Sequence, residues 1–195
     1  MGKPGRGTKS RIISAAWRLF YEQGYERTTI EDIVAASETS KGSFYHYFPG
    51  KDALLGTLST LFDEKYESLI PTLDEQATAL STLLQLNREL FLMIENSISI
   101  ELLGRLLSTQ LVSRGERHLL DRSRTYFRLL LRIVRRGQET GELRTDLSAN
   151  DIVKAYALCE RGFLYDWCLC GGEYSLCRYS APMLEMFLAG FVAKG

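Results

Sequence analysis

Apolar residues recur every three or four positions along most of this 195-residue chain, and no segment sustains the apolar–polar alternation typical of a strand. This pattern predicts an all-α protein of about nine helices. The first covers residues 8–23, with Ile12, Ala16 and Phe20 on one face, and ends at Gly24, a residue favoured just after a helix. Beyond residue 50, helices are predicted over residues 51–69, 74–96, 98–113, 118–139, 149–170 and 179–193, separated at Pro71, Gly115, Gly141 and Gly171–Gly172.

Residues 28–48 are predicted to form two short helices joined by a tight polar turn. The first begins with the Thr28–Glu31 spacing of a capping box. The turn, Ser37-Glu38-Thr39-Ser40, lacks glycine, so a left-handed residue there would cost about 1 kcal/mol. Phe44 and Phe48 lie four positions apart and should anchor the second helix. The outward-facing residues are then Lys41, Gly42, Ser43, Tyr45 and His46. Two short helices with this spacing are typical of a DNA-binding helix-turn-helix.

The charge distribution agrees with a DNA-binding N-terminus, although the chain as a whole has a net charge of zero. Residues 1–52 contain eight Lys or Arg and six Asp or Glu, a difference of +2, and five of the cations precede the first acid, Glu22. A basic arm beside a helix-turn-helix gives a local positive field, although its first six residues could equally be a solvated tail. No apolar run of about 18 residues and no signal-peptide segment occurs, so we expect a soluble, cytoplasmic protein without a membrane partner.

The motifs Thr28-Thr29-Ile30-Glu31-Asp32-Ile33 and Ser40-Lys41-Gly42-Ser43-Phe44-Tyr45-His46-Tyr47-Phe48, followed by Lys51, resemble the N-terminal domain of TetR/AcrR-family transcriptional regulators. Many members carry glycine and a small aliphatic residue where this chain has Glu38 and Thr39. The resemblance implies a three-helix DNA-binding domain over residues 1–52 and a larger helical domain for effector binding and dimerisation over residues 53–195.

The resemblance also implies that Lys41, Gly42 and Ser43 approach base edges, while Thr29, Tyr45, Tyr47 and Lys51 contact phosphates and His46 lies at the border. The chemistry agrees, since a lysine can donate to guanine or phosphate and a glycine lets the helix approach the bases. The plainer alternatives are that Thr29 and Ser40 only cap helices, that Tyr47 packs in the core, and that Lys51 is an ordinary surface lysine. The complete set of expected DNA-contacting residues is Thr29, Ser40, Lys41, Gly42, Ser43, Tyr45, His46, Tyr47 and Lys51.

The last two predicted helices carry the densest aromatic residues, and in this family the corresponding helices pack against a second copy. Because one helix-turn-helix buries little surface, we expect a homodimer that binds an inverted-repeat operator. The alternative is that these residues form a core within one chain. The expected interface residues are Tyr156, Phe163, Leu164, Trp167, Met183, Phe187 and Phe191.

A small-molecule pocket needs a few polar groups among apolar ones. Polar residues interrupt several apolar helix faces of the second domain, although a polar residue satisfied by a neighbouring helix is the commoner case. The candidate effector-binding residues are Asn87, Gln110, Ser123, Tyr126, Glu160 and Arg161.

The expected function is therefore a transcriptional repressor released by an effector of unknown identity. An alternative is redox or metal gating through Cys168, Cys170 and Cys177, but Cys-x-Cys on a helix points the thiols about 200° apart, and buried packing is the more common role of a free cysteine. The sequence contains no nucleophile–base pair, no metal-ligand spacing and no phosphate-binding loop. We therefore expect no enzyme activity, metal or cofactor.

Overall fold

A computed structural model describes residues 5–112 and 117–193. Within these ranges the chain folds into ten α-helices and two single-turn 3₁₀ helices, Ile70–Thr72 and His118–Leu120, and contains no β-strand apart from an isolated bridge between Leu143 and Val192. The all-α prediction is confirmed. The helices are α1 (Gly5–Gln23), α2 (Ile30–Ala36), α3 (Lys41–Tyr47), α4 (Lys51–Leu55), α5 (Leu58–Leu69), α6 (Ala79–Ser97), α7 (Ile100–Val112), α8 (Thr125–Glu139), α9 (Ala149–Leu169) and α10 (Leu176–Ala189).

The described residues form two compact units, one drawn from residues 1–60 and 101–116 and the other from residues 61–100 and 117–195. The first unit thus includes most of α7, which the sequence pattern assigned to the effector domain. Arg105 on α7 pairs with Glu26 and lies 5.7 Å from the ring centroid of Tyr25. These contacts join α7 to the segment between α1 and α2, which is distant in sequence.

The core of the first unit comes from α1, α2 and α3, which pack against one another. Ile12, Phe20, Ile33, Phe44 and Phe48 are all buried, as the spacing of apolar residues predicts. Gly24 ends α1 with a φ of 86°, a left-handed conformation that glycine adopts without strain. The start of the predicted basic arm, residues 1–4, lies outside the described residues.

The predicted helix over residues 51–69 is wrong in one respect, because the chain leaves helical geometry between α4 and α5. Thr57 Oγ1 donates to the Leu54 carbonyl at 2.6 Å and accepts from Trp17 Nε1 at 2.9 Å. Ser59 Oγ similarly donates to the Gly56 carbonyl at 2.6 Å. Hydroxyl groups that bond to nearby backbone carbonyls compete with the regular helical ladder, which explains the break.

The second unit is built from α6, α8, α9 and α10, with α6 packed against both α8 and α10, and α9 packed against both as well. A Cβ atom added at Gly137 on α8 would lie 2.7 Å from the Ala79 Cβ, so only glycine permits this close approach to α6. The Glu142 carboxylate accepts from the backbone N–H groups of Ala79 and Leu80 and caps the start of α6. Ser148 caps the start of α9, where its hydroxyl accepts from the Asp151 N–H at 3.2 Å.

Candidate functional site

The first candidate site is the exposed surface of α3 and the start of α2. Ser40 caps α3 by accepting from the Ser43 N–H at 3.1 Å, and buried Phe44 and Phe48 hold the helix against the unit. Lys41, Gly42, Tyr45 and His46 are exposed, whereas Ser43 and Tyr47 are half-buried. The predicted division of α3 into an inward aromatic face and an outward polar face is therefore confirmed.

The capping box of α2 lies one residue later than predicted. Thr29, and not Thr28, accepts from the Asp32 N–H at 3.1 Å, while the Asp32 carboxylate accepts from the Thr29 N–H at 2.9 Å. Thr28 is buried, and its hydroxyl donates to the Gly24 carbonyl at 2.8 Å. The Thr29 hydroxyl on this surface consequently already serves as a helix cap.

An ion pair between Lys41 and Glu31 crosses from α3 to α2 on this surface. Hydrogen bonding to Lys41 lowers the pKa of Glu31, and the same contact raises the pKa of Lys41. Both side chains remain largely exposed, so the pair is accessible to competing anions.

Lys51 has an internal role that the sequence did not reveal. Its Nζ donates to the carbonyls of Tyr25 at 2.7 Å and Thr28 at 2.9 Å, and lies 4.2 Å from the Tyr25 ring centroid. The Tyr25 hydroxyl donates in turn to Asp52, and burial together with this contact raises the pKa of Tyr25. Lys51 therefore holds the loop between α1 and α2 in place.

The Ser37–Ser40 turn contains one non-glycine residue in the left-handed region, Glu38, with a φ of 50°. A non-glycine residue in this region costs about 1 kcal/mol, the cost that the glycine-free sequence implies for any left-handed residue there. The turn is supported by a hydrogen bond of 2.8 Å between the hydroxyls of Ser37 and Thr39, and by Thr39 N–H donating to the Val34 carbonyl.

The second candidate site is a buried polar cluster in the second unit, formed by Asn87, Tyr126, Tyr156, Glu160 and Tyr66. Glu160 accepts hydrogen bonds from Asn87 Nδ2 at 2.9 Å and from the Tyr126 hydroxyl at 2.6 Å. The Tyr156 hydroxyl donates to the Leu83 carbonyl at 3.0 Å. Burial raises the pKa of Glu160 despite these hydrogen bonds, which indicates that no cation fully compensates its charge.

Tyr66 completes this cluster and leaves a donor group unused. Its ring lies 5.3 Å from that of Tyr126, and its side chain is fully buried. The Tyr66 hydroxyl has no hydrogen-bond partner within the described residues. A buried hydroxyl without a hydrogen-bond partner destabilises the folded protein, so the Tyr66 hydroxyl marks a point where a bound molecule could accept a hydrogen bond.

The six predicted effector residues do not form a single site in the structure. Asn87, Tyr126 and Glu160 converge on the polar cluster, while Arg161 lines a neighbouring groove. Gln110 lies on α7 in the other unit. Ser123 is exposed and bonded to Asp121. Tyr66 and Tyr156 were missed because nothing near them in sequence indicates a shared polar partner.

The predicted interface residues also separate by burial. Tyr156, Leu164 and Trp167 are buried within the chain, so the expectation that they face a second copy is revised. Met183 and Phe187 are 41% and 39% exposed, and Phe163 and Phe191 are half-buried. Further exposed apolar residues lie on the same two helices: Leu158, Tyr165, Leu169, Tyr179 and Met186.

Three of the four cysteines lie in surroundings that disfavour a thiol sensor, whereas Cys170 is exposed. Burial raises the pKa of Cys159 and Cys177, and that of Cys168 to about 11, which disfavours the reactive thiolate. Within residues 5–112 and 117–193, no three His, Cys, Asp or Glu side chains come together as potential metal ligands. In the same ranges, no helix is long and apolar enough to cross a membrane.

Comparison with known proteins gives matches of two kinds. The family profile described as bacterial regulatory proteins, tetR family, matches residues 12–58. The transcriptional repressor DhaR of Mycobacterium sp. is 26% identical over 150 residues, 72% of each chain. The regulator HbdR of Aromatoleum sp. is 47% identical over 64 residues, which cover 32% of this chain and 28% of HbdR.

A solved structure shares the fold over nearly the whole chain. Thermus thermophilus FadR, a TetR-family transcriptional repressor crystallised with lauroyl-CoA, superposes with a TM-score of 0.75 at 23% identity and covers 96% of both chains. The helix-turn-helix thus lies within the segment that matches the tetR family of bacterial regulatory proteins, and the chain as a whole is similar in fold to a TetR-family transcriptional repressor.

Proposed function

We propose that this protein is a homodimeric repressor that binds an inverted-repeat operator through α3 and releases it when a small molecule binds the second unit. The observation that carries the proposal is the outward face of α3. Lys41, Gly42 and Tyr45 are exposed on a helix that a buried Phe44–Phe48 pair holds rigidly in place. Such a face offers hydrogen-bond donors to the base edges of a major groove, and Gly42 lets the helix approach them closely.

The DNA-binding surface is tested with two tyrosines of similar exposure in the same unit. Tyr45 is 54% exposed on α3, and Tyr21 is 60% exposed on α1. Tyr45→Phe removes one hydroxyl and should weaken binding to the protein's own promoter fragment by fluorescence anisotropy, whereas Tyr21→Phe should not. Equal affinities for both variants and the wild type would remove Tyr45 from the interface.

Lys41→Ala distinguishes base reading from phosphate contact. If Lys41 reads a base, affinity should fall roughly tenfold to hundredfold and the preference at one position per half-site should relax. An equal loss on all sequences would assign the lysine to a phosphate. Absence of any salt-sensitive specific complex between the wild type and promoter DNA would contradict the repressor proposal itself.

Dimerisation is supported by an exposed apolar stripe along each of α9 and α10. Leu158, Tyr165 and Leu169 are spaced seven and four residues apart and therefore share one face of α9, 55%, 51% and 68% exposed. Gly162 lies on the same face with no atom within 4 Å of an added Cβ, which leaves room for close approach of another helix. We assign this surface to a second copy of the chain, since paired stripes of this size are unusual on a monomer.

Two leucines offer a matched test of the interface. Leu169 on α9 is 68% exposed and Leu111 on α7 is 69% exposed. Leu169→Glu should shift the protein from dimer to monomer in analytical ultracentrifugation, and Leu111→Glu should leave it dimeric. A dimer that survives Leu169→Glu, and also Met186→Glu on α10, would place the interface elsewhere.

The effector part of the proposal rests on the buried polar cluster, where the Tyr66 hydroxyl is free to donate and Glu160 already accepts from two neighbours. To release DNA, an effector bound there must have higher affinity for conformations in which the spacing of the two α3 helices of the dimer does not match the operator. Only such a difference in affinity shifts the equilibrium between DNA-binding and non-binding conformations. Since T. thermophilus FadR was crystallised with lauroyl-CoA, that compound is the first to test for release of promoter DNA. Release in the wild type and its loss in Tyr66→Phe would support the site, while release unchanged by that substitution would move the effector elsewhere.

A further inference from the structure

A groove of about 320 Å³ runs between α8 and α9 in the second unit, and its walls carry four cations and no acid. The cationic side chains are Arg122, Arg128, Lys154 and Arg161. The remaining lining residues are apolar apart from one amide, namely Leu120, Phe127, Leu131, Val153, Ala157 and Asn150. In a chain with equal numbers of acids and bases, such a lining is a local concentration of positive charge over an apolar floor.

The charges around this groove lack acidic partners within hydrogen-bonding range in the described residues. Arg128 donates only to the Thr125 hydroxyl, at 3.1 Å. The acids closest in sequence are engaged elsewhere, since Asp121 accepts from Ser123 and Asp151 accepts from Ser148. Arg161 interacts electrostatically with the adjacent buried Glu160, but the Glu160 carboxylate belongs to the polar cluster and does not line the groove.

A second cavity in the same unit lacks this character. It is lined by residues of the Pro71 segment and by both acids and bases, and two of its charged residues already have internal roles. Glu142 caps α6, and Arg136 donates to the Glu75 carbonyl. Of these two cavities, the α8–α9 groove is the one whose charged lining residues are all cations and form no ion pair within the described residues.

We propose that this groove binds an amphipathic anion, with an alkyl chain on Phe127, Leu131, Val153 and Ala157 and an anionic head group held by Arg122, Lys154 and their neighbours. An apolar floor excludes water beneath the chain, and guanidinium and ammonium groups suit phosphate or carboxylate oxygens. This groove would be a second effector site of the proposed repressor, beside the polar cluster and on the same two helices. In that sense it rests on the proposed function, although its ligand affinity is measurable without DNA.

The same two helices give the groove a physical connection to the polar cluster. Phe127 follows Tyr126 on α8, and Arg161 follows Glu160 on α9, so each helix contributes to both features. A ligand that changes the spacing of α8 and α9 would also change the hydrogen bond between Tyr126 and Glu160.

The experiment uses octyl phosphate, octanol and inorganic phosphate as probes in isothermal titration calorimetry with the full-length protein. Octyl phosphate should bind at least tenfold more tightly than either fragment, because both the chain and the head group contribute. Octanol binding as tightly would overturn the role of the cations, and inorganic phosphate binding as tightly would overturn the role of the apolar floor.

Matched double variants separate a site from general electrostatics. Arg122→Gln with Lys154→Gln removes two exposed groove cations, and Arg88→Gln with Arg135→Gln removes two exposed cations outside it. Affinity for octyl phosphate should fall at least tenfold in the groove variant only. An equal loss in both variants would overturn the proposal. A butyl-to-octyl series supplies a second readout that needs no substitution, since affinity should rise with chain length.

Adding octyl phosphate to the promoter complex then tests the effector assignment. Release of DNA by the wild type but not by the groove variant supports it. Binding without release would overturn the effector assignment, whereas failure of the protein to bind promoter DNA at all would contradict the repressor proposal and leave the calorimetric result standing.

Discussion

Replacing Lys51 by methionine should destabilise the first unit far more than the loss of an ordinary surface lysine. The substitution keeps the apolar stem but removes two charged hydrogen bonds, at 2.7 and 2.9 Å, and the ammonium 4.2 Å from the Tyr25 ring centroid. A hydrogen bond to a charged group contributes about 1.5–3 kcal/mol, and a cation–π contact about 0.5–1 kcal/mol. Because Lys51 is only half-buried, water recovers part of this, and we expect a net loss of about 2–4 kcal/mol.

Thermal unfolding followed by circular dichroism measures this loss. For a chain of this size the midpoint should fall by roughly 2–4 °C per kcal/mol, in the transition that reports the first unit. Arg18→Met, which removes an exposed cation from α1, is the matched control and should leave the midpoint nearly unchanged.

The salt dependence of promoter binding decides between the structural and the phosphate-contacting roles of Lys51. If the lysine mainly supports the α1–α2 loop, the slope of log affinity against log salt should stay constant. A normal unfolding midpoint together with a slope smaller by about one would refute this reasoning and restore Lys51 as a phosphate contact.

Three further predictions concern single positions. Gly42→Ala should fold normally, and its free energy of unfolding should rise by up to about 1 kcal/mol, because the added Cβ lies 3.8 Å from Ser40 Oγ with no closer contact. Its affinity for promoter DNA should nevertheless fall at least tenfold, whereas unchanged affinity would place the bases away from Gly42. Glu38→Gly should raise the free energy of unfolding by about 1 kcal/mol relative to Glu38→Ala in urea titrations, because φ is 50°; equal stability of the two variants would contradict backbone strain. Burial raises the pKa of Glu160, so the stability contributed by its protonated carboxyl is present below the ordinary pKa of 4.5 and is lost as pH rises through the folded-state pKa. The free energy of unfolding of Glu160→Gln should therefore increase relative to that of the wild type as pH rises above 4.5, while that of exposed Glu139→Gln should not; a difference between Glu160→Gln and wild type that is independent of pH would refute the raised pKa.

The features that the sequence predicts well are those set by residues within a few positions of one another. The period of apolar residues located α2 and α3, and the Phe44–Phe48 spacing was enough to orient the outward face of α3. The conformation of the turn was not predictable in the same way: the absence of glycine gives the cost of a left-handed residue, but only the structure shows that Glu38 adopts that conformation.

The features it does not predict depend on partners distant along the chain. Lys51 bonds to carbonyls 23 and 26 positions away, and Tyr156 bonds to a carbonyl 73 positions away. Thr57, at the break between α4 and α5, likewise accepts a hydrogen bond from Trp17, 40 positions away. An aromatic residue that packs inside its own chain has the same local pattern as one that faces a partner, which is why Trp167 was assigned to an interface.

The ion pair between Lys41 and Glu31 has a consequence for how this protein would search along DNA. Glu31 pairs with Lys41 in the free protein, so in the proposed complex each DNA site would have to displace this carboxylate before Lys41 could bind. A random site offers only a phosphate in exchange, while a correct operator also offers a base edge. In the proposed complex, contact with Lys41 would therefore form less readily on an incorrect sequence than on the operator, so the acidic side chain would contribute to selectivity.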